Sequence, residues 1–120
     1  MAENIIKIKS FSFALRVVKM CQFLSVEKKE FVLSKQLLRS GTSIGALVRE
    51  SEHAESKSDF IHKLAIAQKE ANETSYWLEL LFQSEYLNQA QFESLHSDLV
   101  EMNKILASII ISSKRSLKKQ

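Results

Sequence analysis

The sequence predicts an all-α fold, an antiparallel up-down four-helix bundle, on three observations. The 120 residues contain no proline and only two glycines, Gly41 and Gly45, whereas a sheet protein of this size needs more turn-forming residues. Leu, Ala, Glu, Lys, Gln and Ser dominate, a composition that favours helix. Apolar residues recur at three- and four-residue spacing in four segments separated by short polar connections. The length fits one domain able to bury a core without a disulfide or a metal.

Helix 1 is expected from about Lys9 to Leu24. Phe11, Ala14, Leu15, Val18 and Cys21 form one apolar set, and Phe13, Val17, Met20 and Leu24 a second. At 100° per residue the two sets cover about 200° of the circumference. A helix in a lone bundle needs a narrower stripe, so the excess predicts a second buried surface. Ser25 to Lys29 reads as a polar connection, and helix 2 is expected from about Glu30 to Ser51. Its core stripe is Leu33, Leu37, Ser40, Ile44 and Leu47, beside Ser34, Gly41, Gly45 and Val48. Each glycine costs about 1 kcal/mol of helix propensity, and close approach by a neighbouring helix is the compensation expected. A phosphate-cradling loop would instead need a preceding strand.

Glu52 to Ser58 breaks the periodicity, with Ser56 or Ser58 as the cap of helix 3 and Asp59 favourable in its first turn. Helix 3 continues to about Ser84 on the stripe Phe60, Leu64, Ala67, Ala71, Thr74, Leu78 and Leu81, a length of about 40 Å. Asn88 is the expected cap of helix 4, which spans about Gln89 to Ser113 through Phe92, Leu95, Leu99, Met102, Leu106 and Ile109. Residues 1–8 and 114–120 are expected to be flexible ends around a bundle of residues 9–113, the latter end being a basic tail.

The net charge of +3 conceals an asymmetry. Residues 1–49 carry nine Lys/Arg against three Asp/Glu, residues 50–103 three against eleven, and residues 104–120 five against none. Such a distribution provides solvated faces, a basic surface for nucleic acid, or charge matching between subunits. Cys21 is the single cysteine, which excludes an intrachain disulfide and suits a reducing cytoplasm. No apolar run approaches the ~20 residues that cross a bilayer, and no apolar signal core precedes Ser10, so a cytoplasmic protein without membrane attachment is expected.

Two Glu-x-x-His motifs, Glu50–His53 and Glu93–His96, have the spacing found in di-metal bundles. Up-down topology sets them at opposite ends, roughly 30 Å or more apart, so no metal bridge within one subunit is expected. His62 reads as a surface or interface residue, and Cys21 as a buried thiol rather than a nucleophile. No catalytic triad, phosphate loop, dinucleotide fingerprint or zinc spacing is present. The expectation is a protein without enzymatic activity, metal or cofactor. Glu73, near Tyr76 and Trp77, is expected to pair with Arg39 or Arg49.

Gln36 to Gly45 followed by Ala46 and Glu50, Ser58 to Ala67, Glu70 to Thr74, and Tyr76 to Leu81 form blocks at fixed spacing. Together they resemble the bacterial four helix bundle protein family, also called the 23S rRNA intervening-sequence or S23-like family. The similarity runs from about Phe11 through Leu87 and weakens in helix 4. The resemblance implies assembly as a ring-like homopentamer. It also implies a relation to the accessory protein of diversity-generating retroelements, a basic pentamer that binds nucleic acid and a reverse transcriptase. The chain departs from the family pattern at Leu47 and Val48, where Asn and then Ile or a similar residue are usual, and at Ser51, usually Ala or Gly. A buried polar contact is thereby replaced by apolar packing.

Two functions follow as expectations. One is a nucleic-acid-binding oligomer (RNA or DNA) using Lys7, Lys9, Arg16, Lys19, Lys114, Arg115, Lys118 and Lys119, with support from Lys35, Arg39 and Arg49. Arg16 and Lys19 share the polar face of helix 1 and are the leading pair. The other is a scaffold that docks a polymerase, such as a reverse transcriptase, or another helical partner. Phe13, Val17, Met20, Leu24, Gly41 and Gly45 are expected to serve an oligomer interface or internal packing.

Overall fold

The computed structural model describes residues 1–119. Four helices make up the chain: α1 (Ala2–Val26), α2 (Leu33–Ser51), α3 (Lys57–Gln83) and α4 (Gln89–Lys118). Contacts run α1–α2, α2–α3, α3–α4 and α4–α1, closing the antiparallel bundle. The molecule is a rod of 53 × 22 × 20 Å.

The core is the inner stripe of each helix. Phe13, Val17 and Leu24 of α1 meet Leu37 and Ile44 of α2, Leu64, Leu78 and Leu81 of α3, and Leu95, Leu99, Met102 and Leu106 of α4. The expected stripes of helices 2 to 4 match this core, except that Leu33, Leu47, Phe60 and Phe92 lie at its edge, half-buried. Ser40 and Thr74 belong to the core without an unmet hydrogen bond. The Thr74 hydroxyl donates to the Glu70 carbonyl at 2.8 Å and shares a hydrogen bond with the Ser40 hydroxyl at 2.9 Å.

α1 begins at Ala2, well before the expected start at Lys9. Of residues 1–8, expected as a flexible end, residues 2–8 thus form its first turns, because Ile6, 1% exposed, and Ser10 continue the buried stripe to the end of α2. The expected flexible tail is likewise helical through Lys118. Ile109 and Ile110 are buried just before the tail, and within it Ser116 Oγ accepts from Lys57, at the start of α3, at 3.0 Å.

α2 starts at Leu33 rather than Glu30, for a local reason. The Glu30 carboxylate turns onto the helix end and accepts from the backbone N–H groups of Val32 (3.1 Å), Leu33 (2.8 Å) and Ser34 (2.8 Å). Those donors have no partner within the helix. Burial opposes ionisation of Glu30, but the N–H groups of Leu33, Ser34 and Val32, with the Ser34 side chain, outweigh it. The carboxyl is held below its ordinary range. Ser56 caps α3 by accepting from Asp59 N at 3.0 Å. Asn88 and Gln91 form a reciprocal capping box on α4.

Candidate nucleic-acid interface

Three of the four cations expected to act from α1 are engaged within the bundle. Arg16 holds α4 in a fork: Nη1 donates to the Ser94 carbonyl at 3.3 Å and to Asp98, and Nη2 to Ser94 Oγ. Lys9 pairs with Glu101 of α4. Lys7 pairs with Glu52, just past α2, at 3.2 Å. Lys19 is exposed and has no ion pair among the described residues. The leading pair is therefore split: Arg16 secures the α1–α4 seam, while Lys19 is open to solvent.

α4 differs. Lys104, Lys114, Arg115, Lys118 and Lys119 are all exposed, and none meets a carboxylate among the described residues. Lys104, Arg115 and Lys118 follow one helix face with Ile111 between them, over a rise of about 21 Å. Arg115 and Lys118 lie in the last turn, where the helix dipole favours cations. Four of these five are legible as a basic run; Lys104 enters the charge count of residues 104–120 but stands ten residues before that run.

The surplus apolar surface of α1 resolves into two faces. Phe13, Val17 and Leu24 lie inside the subunit's own core, with Met20 half-buried against it. The first set turns outward: Phe11 is 48% exposed and Leu15 51%, with Val18 and Ile8 on the same side. Cys21 alone of that set is buried. Phe31, before α2, and Leu38 on α2 are exposed as well. Arg49 of α2 lies over the Phe11 ring, 5.0 Å from its centre, so this face is shared by the two helices.

Gly41 and Gly45 both face α1. A Cβ on Gly41 would lie 2.9 Å from both Val17 γ-carbons, and one on Gly45 3.3 Å from the Ser10 carbonyl oxygen. The signal that orients α1 is this small-against-small register, Ser10 opposite Gly45, rather than apolarity.

The remaining candidates are dispersed. Glu50 pairs with Lys63 at 3.3 Å, His53 is exposed beyond α2, Glu93 accepts from Gln89 at 2.9 Å, and His96 stacks on Phe92. His62 is exposed. Among the described residues no group of three His, Cys, Asp or Glu converges as a metal site. Arg39, not Arg49, holds Glu73, which also accepts from Trp77 Nε1 at 3.0 Å, and Glu70 lies 3.8 Å from Arg39. Burial pushes the Cys21 thiol up to about 11, with Glu30 adding to the shift, and Sγ donates to the Ser34 carbonyl at 3.2 Å. Among the described residues no helix is long and apolar enough to cross a membrane.

Fold and surfaces define a class: an all-α bundle with a run of exposed cations that meet no carboxylate among the described residues, and an apolar face along one side. The family model described as 23S rRNA-intervening sequence protein matches residues 2–108, and the chain belongs to that family. It is similar in structure to a protein with unknown function from the S23 ribosomal protein family of Bacteroides thetaiotaomicron VPI-5482. The TM-score is 0.91 at 59% identity, over 92% of this chain and 98% of that one. Among curated proteins, none matches.

Proposed function

We propose that the chain is a non-catalytic, self-associating bundle that binds RNA or DNA through phosphate contacts made by the C-terminal half of α4. The observation that carries this reading is the contrast between two sets of cations. Of the four on α1, Arg16 and Lys9 pair with α4 carboxylates and Lys7 with Glu52, whereas the four on α4 and Lys119 at its C-cap are exposed and meet no carboxylate among the described residues. Phosphates attract such free cations, and the binding would be salt-sensitive and weakly sequence-specific. The family description, with its reference to 23S rRNA intervening sequences, supports a nucleic-acid setting.

A second reading, a protein-docking scaffold, is favoured by the apolar face of Ile8, Phe11, Leu15 and Val18 with Phe31 and Leu38. Contiguous exposed apolar surface marks an interaction site. In the proposed assembly that face takes a second copy, and a polymerase-type partner is the alternative occupant.

The test is a fluorescence-anisotropy titration with structured RNA and duplex DNA at low and near-physiological salt. The wild-type chain is compared with a variant carrying Lys114→Ala, Arg115→Ala, Lys118→Ala and Lys119→Ala. Loss of affinity together with a flatter salt dependence supports the α4 surface. Wild-type binding by the variant refutes it, and no binding by either protein moves the scaffold reading to first place.

A further inference from the structure

The end of the bundle opposite the α4 cations holds a depression of about 380 Å³ between the α1–α2 and α3–α4 connections. Phe23, Phe82, Lys28, Glu85, Asn88 and Gln91 line it, and its volume lies in the range of small-ligand sites. Phe82 is the first ring of a continuous stack. Phe92 follows at 4.8 Å and 14° between planes, and His96 at 5.0 Å and 18°. The Asn88–Gln91 capping box occupies the two side-chain oxygens, which accept from backbone N–H groups at 2.8 and 2.9 Å. Both side-chain NH2 groups are left to donate elsewhere. Lys28 and Glu85 are exposed and make no ion pair among the described residues. The N-terminus of α4 opens at the same place and carries the positive end of its dipole.

We infer that this depression binds an unpaired nucleobase together with its phosphate. The base adds to the aromatic stack at Phe82 beside Phe23. Lys28 and the first turn of α4 take the phosphate. The Asn88 and Gln91 amides donate to acceptor atoms on the base edge, and Glu85 accepts from an exocyclic amine. An aliphatic side chain would use the rings and leave the cation, the carboxylate and the two amides to water, with no part in recognition. A planar base with an anionic substituent uses all of them, and stacking on aromatic rings is how unpaired bases are held. The depression and the far end of α4 are separated by about 45 Å of helix. The inference therefore goes beyond the phosphate surface and stands without it.

The same chemistry is offered by a free nucleotide and by an unpaired base within a strand. Calorimetric titration of the full chain distinguishes them, using adenosine monophosphate, ribose 5-phosphate and a short single-stranded oligoadenylate. Stacking predicts that adenosine monophosphate binds at least tenfold tighter than ribose 5-phosphate. Phe82→Leu should remove that ratio, and Lys28→Ala should weaken both ligands. Lys28 is exposed, so its variant keeps the test valid if Phe82→Leu disturbs folding. Tighter binding of the oligonucleotide than of the mononucleotide assigns the site to a strand, and equal binding to the free nucleotide. Equal affinity for adenosine monophosphate and ribose 5-phosphate overturns the inference, as does mononucleotide binding unchanged by both variants. The fourfold α4 variant leaves mononucleotide binding intact, so the failure of one site is read separately from that of the other.

Discussion

Replacing Gly41 by alanine places a methyl group where Val17 already sits. The new Cβ would approach both Val17 γ-carbons at 2.9 Å, and Val17 is fully buried and cannot swing away. Alanine gains about 1 kcal/mol of helix propensity over glycine, while overpacking of a closed site costs about 1–3 kcal/mol. Gly41→Ala should therefore destabilise by about 1 kcal/mol. Val17→Ala removes two methyl groups and should cost about 2 kcal/mol once the cavity is included. In the double variant the clash is gone, the alanine methyl fills part of the cavity, and the propensity gain is realised. Its net loss should be about 1 kcal/mol against an additive expectation of about 3, a coupling of about 2 kcal/mol. Denaturant unfolding followed by circular dichroism, at one fixed protein concentration because any association of copies would shift apparent stability, measures all four corners of the cycle. Additive losses within about 0.5 kcal/mol would show that α1 does not lie on Gly41, and the close α1–α2 seam would be wrong.

Three further outcomes are expected. Glu30 has a lowered folded-state pKa, so its capping contribution is complete above the unfolded carboxyl value of about 4.3 and is lost as pH falls through the folded value. Glu30→Gln should cost about 1 kcal/mol at neutral pH and flatten the acid limb of the stability curve; an unchanged acid limb would remove Glu30 from the linkage. Cys21, buried with its thiol pushed up to about 11, should resist a thiol-reactive disulfide reagent at pH 8 in the folded protein and react on unfolding. Equal rates in the two states would contradict its burial. If all five α4 cations engage phosphate, the logarithm of duplex affinity should fall against the logarithm of salt with a slope of about −4.5, and about −3.5 for a single strand. A slope near zero would mean that the cations are not used.

The four helices were legible because their core stripes are long and periodic, and the cap Asn88 because its side chain suits the role; for helix 3 two serines suited it, and Ser56 rather than Ser58 is the cap. Boundaries failed where local chemistry overrode the pattern. Glu30 reads as a helix residue until its carboxylate is seen capping the helix it was assigned to. The first turns of α1 show a single buried apolar residue, Ile6, among exposed Ile5 and Ile8, which conceals the stripe. The basic surface shows a deeper limit. Counting charges by segment makes residues 1–49 and residues 104–120 both cationic and does not rank one above the other. Folding then brings Asp98 and Glu101 of the acidic middle segment onto Arg16 and Lys9. No linear count anticipates which cations are matched across a helix seam and which remain open.

The apolar face of α1 allows self-association and nucleic-acid binding to be separated in one experiment. Leu15 is 51% exposed in the subunit, so Leu15→Glu should change the stability of the bundle itself by no more than about 0.5 kcal/mol. In the assembly the same carboxylate would be buried without a partner, at a cost large enough to break the interface. The variant should therefore run as a folded monomer by light scattering. Each monomer keeps its α4 cations but loses the repetition that an assembly provides, and multivalent binding exceeds the single-site affinity by roughly 10²–10⁴-fold. Anisotropy should accordingly show a large loss of apparent affinity for long RNA, with a smaller loss for an oligonucleotide that spans only one α4 end. If Leu15→Glu remains oligomeric, subunits meet through a different face. If it is monomeric and binds long RNA as tightly as the wild type, one α4 end suffices and assembly serves another purpose. The wide apolar arc of α1 acquires a functional reading only when mass and long-strand affinity fall together.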